Sequence, residues 1–132
     1  MDKYGEAQRP LYEVKANLFK GLAHPARVRI LEVLVASPDV SVTDLIADTG
    51  LDASNVSQHL AVLRRNNLVV AERRASQVFY RLAYPDVADL LAVARALLIQ
   101  ILTTTQHHLV STVADTRGSG ELRSTGGGAT AP

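Results

Sequence analysis

The stretch Ser-Asn-Val-Ser-Gln-His-Leu-Ala-Val-Leu-Arg-Arg-Asn-Asn-Leu, from Ser54 to Leu68, constrains this chain more than any other. Val56, Leu60 and Leu63 recur at helical spacing, with Leu68 just beyond, so a helix here can bury one stripe. Short hydroxyls, amides and one imidazole fill its first turns, and Arg64 and Arg65 close its C-terminal end. Side chains this short let a helix approach another surface closely. The layout suits entry into a DNA major groove, with Ser54, Asn55, Ser57, Gln58 and His59 facing base edges and phosphates. Gln58 carries the donor and acceptor that an adenine edge requires. The competing reading of the same residues is an ordinary amphipathic helix capped by Ser54.

The flanking pattern extends this element into a motif. Ser41-Val-Thr-Asp44 reads as a variant capping box that opens a short helix with apolar Leu45 and Ile46, and Gly50 ends it. Leu51-Asp52-Ala53 is then a tight turn into the helix from about Ser54 to Asn66. Two helices joined through a turn with glycine form a helix-turn-helix. Upstream, one helix is expected from about Pro10 to Lys20, with Leu11, Val14 and Leu18 on a stripe. A second is expected from Pro25, well suited to a first helical position, to about Ala36, with a stripe of Val28, Leu31 and Val35 widened by Ile30 and Leu34. His24, just before Pro25, reads as a turn or cap residue.

Leu68–Arg74 and Gln77–Leu82 are rich in β-branched and aromatic residues and read as two strands turning at Ala75-Ser76. Residues 54–81 hold Arg64, Arg65, Arg73, Arg74 and Arg81 against Glu72 alone, although the whole chain carries a net charge of only +1. A local cationic surface of this kind matches a polyanion. Arg73, Arg74 and Gln77, near the hairpin tip, are expected on phosphates or in a minor groove. Arg64 and Arg65 either bind phosphate or complement the helix C-terminus. Arg81 either joins them or supports the hairpin through an ion pair.

Pro85 opens a last helix, with Asp86 and Asp89 near its positive end. Its apolar positions include Leu90, Leu91, Leu97, Leu98, Ile101 and Leu102. Run from 86 to 114, it would extend about 43 Å, more than a domain of this size covers by itself. A partner helix is therefore expected. From residue 116 the chain is rich in Gly, Ser and Thr and is expected to be disordered. The organisation expected is a lead-in over 1–9, one domain over 10–115 and a tail over 116–132. Its class is α+β, mainly helical: a winged helix-turn-helix with a β-hairpin wing and a long C-terminal dimerisation helix.

The order of elements and four stretches of sequence resemble the ArsR/SmtB family of winged helix-turn-helix repressors. They are Leu22-Ala-His-Pro-Ala-Arg-Val-Arg-Ile-Leu31, Ser41-Val-Thr-Asp-Leu45, Ser57-Gln-His-Leu-Ala-Val-Leu63 and Val78-Phe-Tyr-Arg-Leu82. Together with the element order they cover about residues 10–102. The resemblance implies a cytoplasmic homodimer, held by its first and last helices, that binds double-stranded DNA at an inverted-repeat operator and is released by an inducer the sequence does not name. On this reading Leu11, Val14, Leu18, Leu90, Leu91, Leu97, Leu98, Ile101 and Leu102 form the dimer interface.

Metal-sensing members use Cys-Val-Cys-Asp-Leu where this chain has Ser41-Val-Thr43-Asp-Leu, and hydroxyls do not replace thiolates for soft metals. The chain has no cysteine, which excludes disulfides, thiolate sites and thiol switches. A second family site places Asp and His near the start of the last helix. Asp86 and Asp89 are present here, but no histidine lies between residues 60 and 106. No cofactor is therefore expected. A metal-responsive alternative would use His107 and His108, with Asp115, across a dimer. Adjacent helical positions point about 100° apart, which weakens that ligand set. No phosphate loop and no Ser/His/Asp spacing supports an enzyme. No N-terminal signal is visible, and the apolar run Leu90–Leu102, broken by Arg95 and Gln100, is too short for a membrane span. Two further readings stay open: an interaction module whose long helix is the working surface and whose DNA binding is weak, and a regulator of this fold with no inducer.

Overall fold

The structure, a computed structural model, describes residues 9–124, with side chains through residue 114. Helices α1 (Leu11–Leu22), α2 (Pro25–Ala36), α3 (Val42–Thr49) and α4 (Ala53–Arg65) precede a hairpin of β2 (Val69–Arg74) and β3 (Gln77–Leu82). A two-residue strand, β1 (Val40–Ser41), lies between α2 and α3, and α5 (Pro85–Ser124) completes the order. Residues up to Leu91 form one compact unit and those from Ala92 a second.

Local chemistry sets the boundaries. His24 caps α2, its Nδ1 accepting from the Ala26 N–H at 3.0 Å, and Pro25 takes the first helical position, where a missing N–H costs nothing. Ser41 Oγ accepts from the Asp44 N–H at 3.1 Å, as the capping-box pattern predicts, and Gly50 ends α3 at φ +73°. The cap of α4 differs from expectation. Asp52, not Ser54, is its N-cap, with Oδ1 accepting from the Asn55 N–H at 2.9 Å. A carboxylate there answers both the unpaired N–H groups and the helix dipole. Ser54 instead lies within the first turn and donates to Asp52 Oδ1.

The core is aliphatic. Ile30, Leu31 and Leu34 of α2 pack with Leu45 of α3, Val56, Leu60 and Leu63 of α4, Leu68, Val69 and Val87. The α4 stripe is the one read from sequence. The α2 stripe is rotated: Ala26, Ile30, Leu31 and Leu34 are buried, while Val28 is half-buried and Val35 exposed. A helix that packs against α3, α4 and β3 buries a wider arc than one spaced series of apolar residues describes. Helices α1 and α4 approach closely at Gly21, where a Cβ would lie 2.7 Å from Asn66 Cγ.

The sheet order is β1-β3-β2, all antiparallel, with Val40 opposite Tyr80 and Ser41 opposite Phe79. Two residues give too little periodicity to be read as a strand, so β1 was not anticipated. It matters because it ties the hairpin to the helical body. The hairpin turns at Ala75, which takes φ +56°, as predicted in position though not in the usual glycine.

Helix α5 continues to Ser124, well past the end expected near residue 114. Residues 116–124, expected in a disordered tail, are helical here; the rest of that expected tail, 125–132, and the lead-in 1–8 lie outside the described residues. The continuous helix also revises the membrane argument. By length and composition alone Pro85–Ala114 is apolar enough to cross a membrane, because Arg95 and Gln100 do not interrupt the helix and apolar residues continue past Leu102. A helix apolar around much of its circumference is equally what packing against other helices requires. Leu97, Leu98, Ile101, Leu102, Leu109 and Val113 are all exposed in the single chain.

Candidate nucleic-acid interface

Helix α4 divides its circumference as its sequence dictates. Val56, Leu60 and Leu63 face the core, and the opposite side carries exposed Ser54, Ser57, Gln58, Ala61 and Arg65, flanked by Asn55 and Arg64. At about 100° per residue these two stripes lie on opposite faces. The exposed face is therefore held by a fully buried one, which gives its short polar side chains a rigid base.

His59 does not belong to that face. It is half-buried, its ring centroid is 4.3 Å from that of His24, and its Nδ1 is 3.4 Å from Arg27 Nη1. Burial, then His24, then Arg27 hold its imidazole below the usual histidine value. The sequence pattern placed His59 beside Gln58 without showing that the α2 cap would reach it.

The wing residues also separate. Arg74 forms ion pairs with Asp39, in the loop before β1, and with Glu72 at 3.0 Å, and its guanidinium lies 4.5 Å from the Phe79 ring centroid. Arg81 pairs with the same Glu72 oxygen at 3.4 Å. Hydrogen bonding and charge from Arg74, reinforced by Arg81, hold the Glu72 carboxyl below the usual carboxylate range. Arg74 and Arg81 thus brace the hairpin. Arg73 and Gln77 are exposed and their side chains take part in none of these contacts.

Tyr80 was missed by sequence reasoning. From β3 it lines a cleft of about 420 Å³ with Ser57, Ala61, Arg64 and Arg65, where the hairpin meets the exposed side of α4. Its alternation with Arg81 was visible, but only the pairing of β3 places its ring beside the arginines. The histidine pair gains no such cluster. His107 and His108 are exposed on α5, and among the described residues no three His, Cys, Asp or Glu side chains converge as a metal site.

This geometry has close counterparts. The model of bacterial regulatory proteins of the arsR family matches residues 24–70, from the α2 cap to the start of the hairpin. The uncharacterized HTH-type transcriptional regulator Rv0081 of Mycobacterium tuberculosis is 54% identical over 95 residues, covering 71% of this chain and 82% of that protein. The chain belongs to the arsR family. The crystal structure of Rv0081 superposes with a TM-score of 0.68 at 52% identity, covering 74% of this chain and 98% of that one. The biofilm growth-associated repressor of Agrobacterium fabrum is 40% identical over 91 residues, 66% of this chain and 77% of that one. The homodimeric winged helix-turn-helix DNA-binding domain Mb0332 of Mycobacterium bovis, solved in solution, aligns with a TM-score of 0.65 at 28% identity, covering 77% and 91%. As an arsR-family member this protein is a DNA-binding transcriptional regulator with a winged helix-turn-helix, and not an enzyme.

Proposed function

We propose that this arsR-family protein is a cytoplasmic homodimeric repressor that occupies an inverted-repeat operator and excludes polymerase. The observation that carries the reading is the division of α4: an exposed polar face of Ser54, Ser57 and Gln58, with Asn55 beside it, backed by fully buried Val56 and Leu63. Those four side chains address base edges, and Gln58 suits adenine. Arg64, Arg65, Arg73 and Gln77 are accessible for phosphate or minor-groove contact. Arg74 and His59, first grouped with them, serve as a wing brace and a helix contact in this account.

Exposed Leu11 and Val14 on α1, and Leu97, Leu98, Ile101 and Leu102 on α5, supply apolar surface for a second copy. Leu18, Leu90 and Leu91 are half-buried, and Leu18 and Leu91 also pack on the core of their own chain, so these three offer a second copy less open surface. The homodimeric Mb0332 domain and the repressor from Agrobacterium support the dimer and the sign of regulation. The test is a DNase I footprint on upstream intergenic DNA with sedimentation equilibrium on the free protein. Two protected half-sites about one helical turn apart, and a dimer, are expected. A monomer with a single protected site would refute the reading.

A further inference from the structure

His59 is the one member of the expected DNA-reading set whose ring turns back toward the body. Its partners form a connected group. Arg27 Nε donates to the Gly21 carbonyl at 2.7 Å and Nη2 to the Lys20 carbonyl at 3.3 Å, which fixes the guanidinium to the C-terminal end of α1. Its third nitrogen, Nη1, points at His59 Nδ1 from 3.4 Å. His24, packed against the His59 ring, uses its own Nδ1 to accept from the Ala26 N–H. Both imidazoles therefore present an Nδ1 lone pair to an N–H donor, and the neutral Nε2–H tautomer satisfies both contacts.

We propose that His24, Arg27 and His59 form a latch that positions α4 against the α1–α2 junction, that it holds while His59 is neutral, and that acid opens it and lowers operator affinity. The proposal rests on the reading of α4 as the DNA-contacting helix. A proton on His59 Nδ1 converts the acceptor into a donor facing the Arg27 N–H, so the contact is lost and two cations are left side by side. Among the described residues no carboxylate offsets them: the groups acting on His59 are His24 and Arg27 from α2 and its cap, and α1 contributes the carbonyls of Lys20 and Gly21 only through Arg27. The direction of the His59 titration agrees, since burial and these two neighbours all favour the neutral ring. Gln58 and Ser57 precede His59 directly, so release of this side of α4 disturbs the alignment of the side chains that face the bases. His59 is then a positioning residue, not a base contact.

The opposite role makes the opposite prediction. If His59 contacted phosphate, protonation would add a cation at the DNA and strengthen binding. The test is operator affinity by fluorescence anisotropy between pH 8 and 5 at fixed ionic strength. It is run on the full chain and on His59→Asn, whose amide oxygen mimics the neutral Nδ1 acceptor. Wild-type affinity is expected to fall by up to about tenfold per pH unit below the His59 midpoint. His59→Asn is expected to keep the neutral-pH affinity and lose that part of the pH dependence. An affinity that rises in acid, or a profile unchanged by His59→Asn, overturns the proposal. Histidine ring NMR on the DNA-free protein separates this from a failure of the functional reading. A His59 midpoint below the usual histidine value that rises in Arg27→Gln upholds the latch even if no operator is bound. An ordinary midpoint unmoved by Arg27→Gln overturns it.

Discussion

Replacing Arg73 by alanine tests whether the wing arginines are divided between DNA and structure as their contacts indicate. Arg74 and Arg81 are engaged with Glu72, and Arg74 also with Asp39, whereas Arg64, Arg65 and Arg73 are exposed and outside that network. If those three reach phosphate in each protomer, a dimer makes about six arginine contacts, and log K should fall with log salt at a slope near −5. Adding Arg74 and Arg81 would bring the slope to about −9. Arg73→Ala removes two symmetry-related contacts, so the slope should flatten by about 2. At about 0.15 M salt each lost contact forfeits roughly 0.7 decade of counterion release, or about 30-fold in affinity for the pair. Arg74→Ala should instead leave the slope nearly unchanged and lower the melting temperature, because it detaches the hairpin from Asp39. Anisotropy titrations at four salt concentrations, with thermal unfolding, decide between them. A slope unchanged by Arg73→Ala and flattened by about 2 in Arg74→Ala would refute the division.

Three further outcomes follow from the same structure. Leu60→Ala, at a buried α4 position, should cost about 2–5 kcal/mol in denaturant unfolding; a loss under about 1 kcal/mol would mean the α4 core face is not packed as described. Asp52→Ala should cost about 1 kcal/mol through the lost α4 cap while Ser54→Ala costs much less, and the reverse ranking would restore Ser54 as the cap. Gln58→Ala should lose about 1–3 kcal/mol of discrimination at one base pair per half-site, measured on single-substitution duplexes; a uniform loss across all sequences would make Gln58 a backbone contact.

Periodicity and capping carried most of the fold into view. The Val56–Leu60–Leu63 stripe, the Ser41 cap, Pro25 and the Ala75-Ser76 turn are local signals, and each marks its element in the structure. What was not legible depends on contacts distant in sequence. Asp52 outcompetes Ser54 because the turn after Gly50 brings its carboxylate to the Asn55 N–H. Strand β1 exists because β3 lies alongside it. His59 and Arg74 carry residue types that suit DNA, and only the fold shows His24, Arg27 and Asp39 occupying them. Ser57, Gln58 and Arg65 were legible because an exposed face opposite a buried one follows from helical spacing alone.

In the proposed function, α4 makes this protein a sequence-specific reader of DNA. Fluorescence anisotropy of the purified chain against its own upstream intergenic duplex, beside a scrambled duplex of equal composition, tests it most directly when repeated across salt concentrations. Tight binding to the first, weak binding to the second, and a steep salt dependence for the specific complex are expected. Equal weak binding to both duplexes at every salt concentration would contradict it.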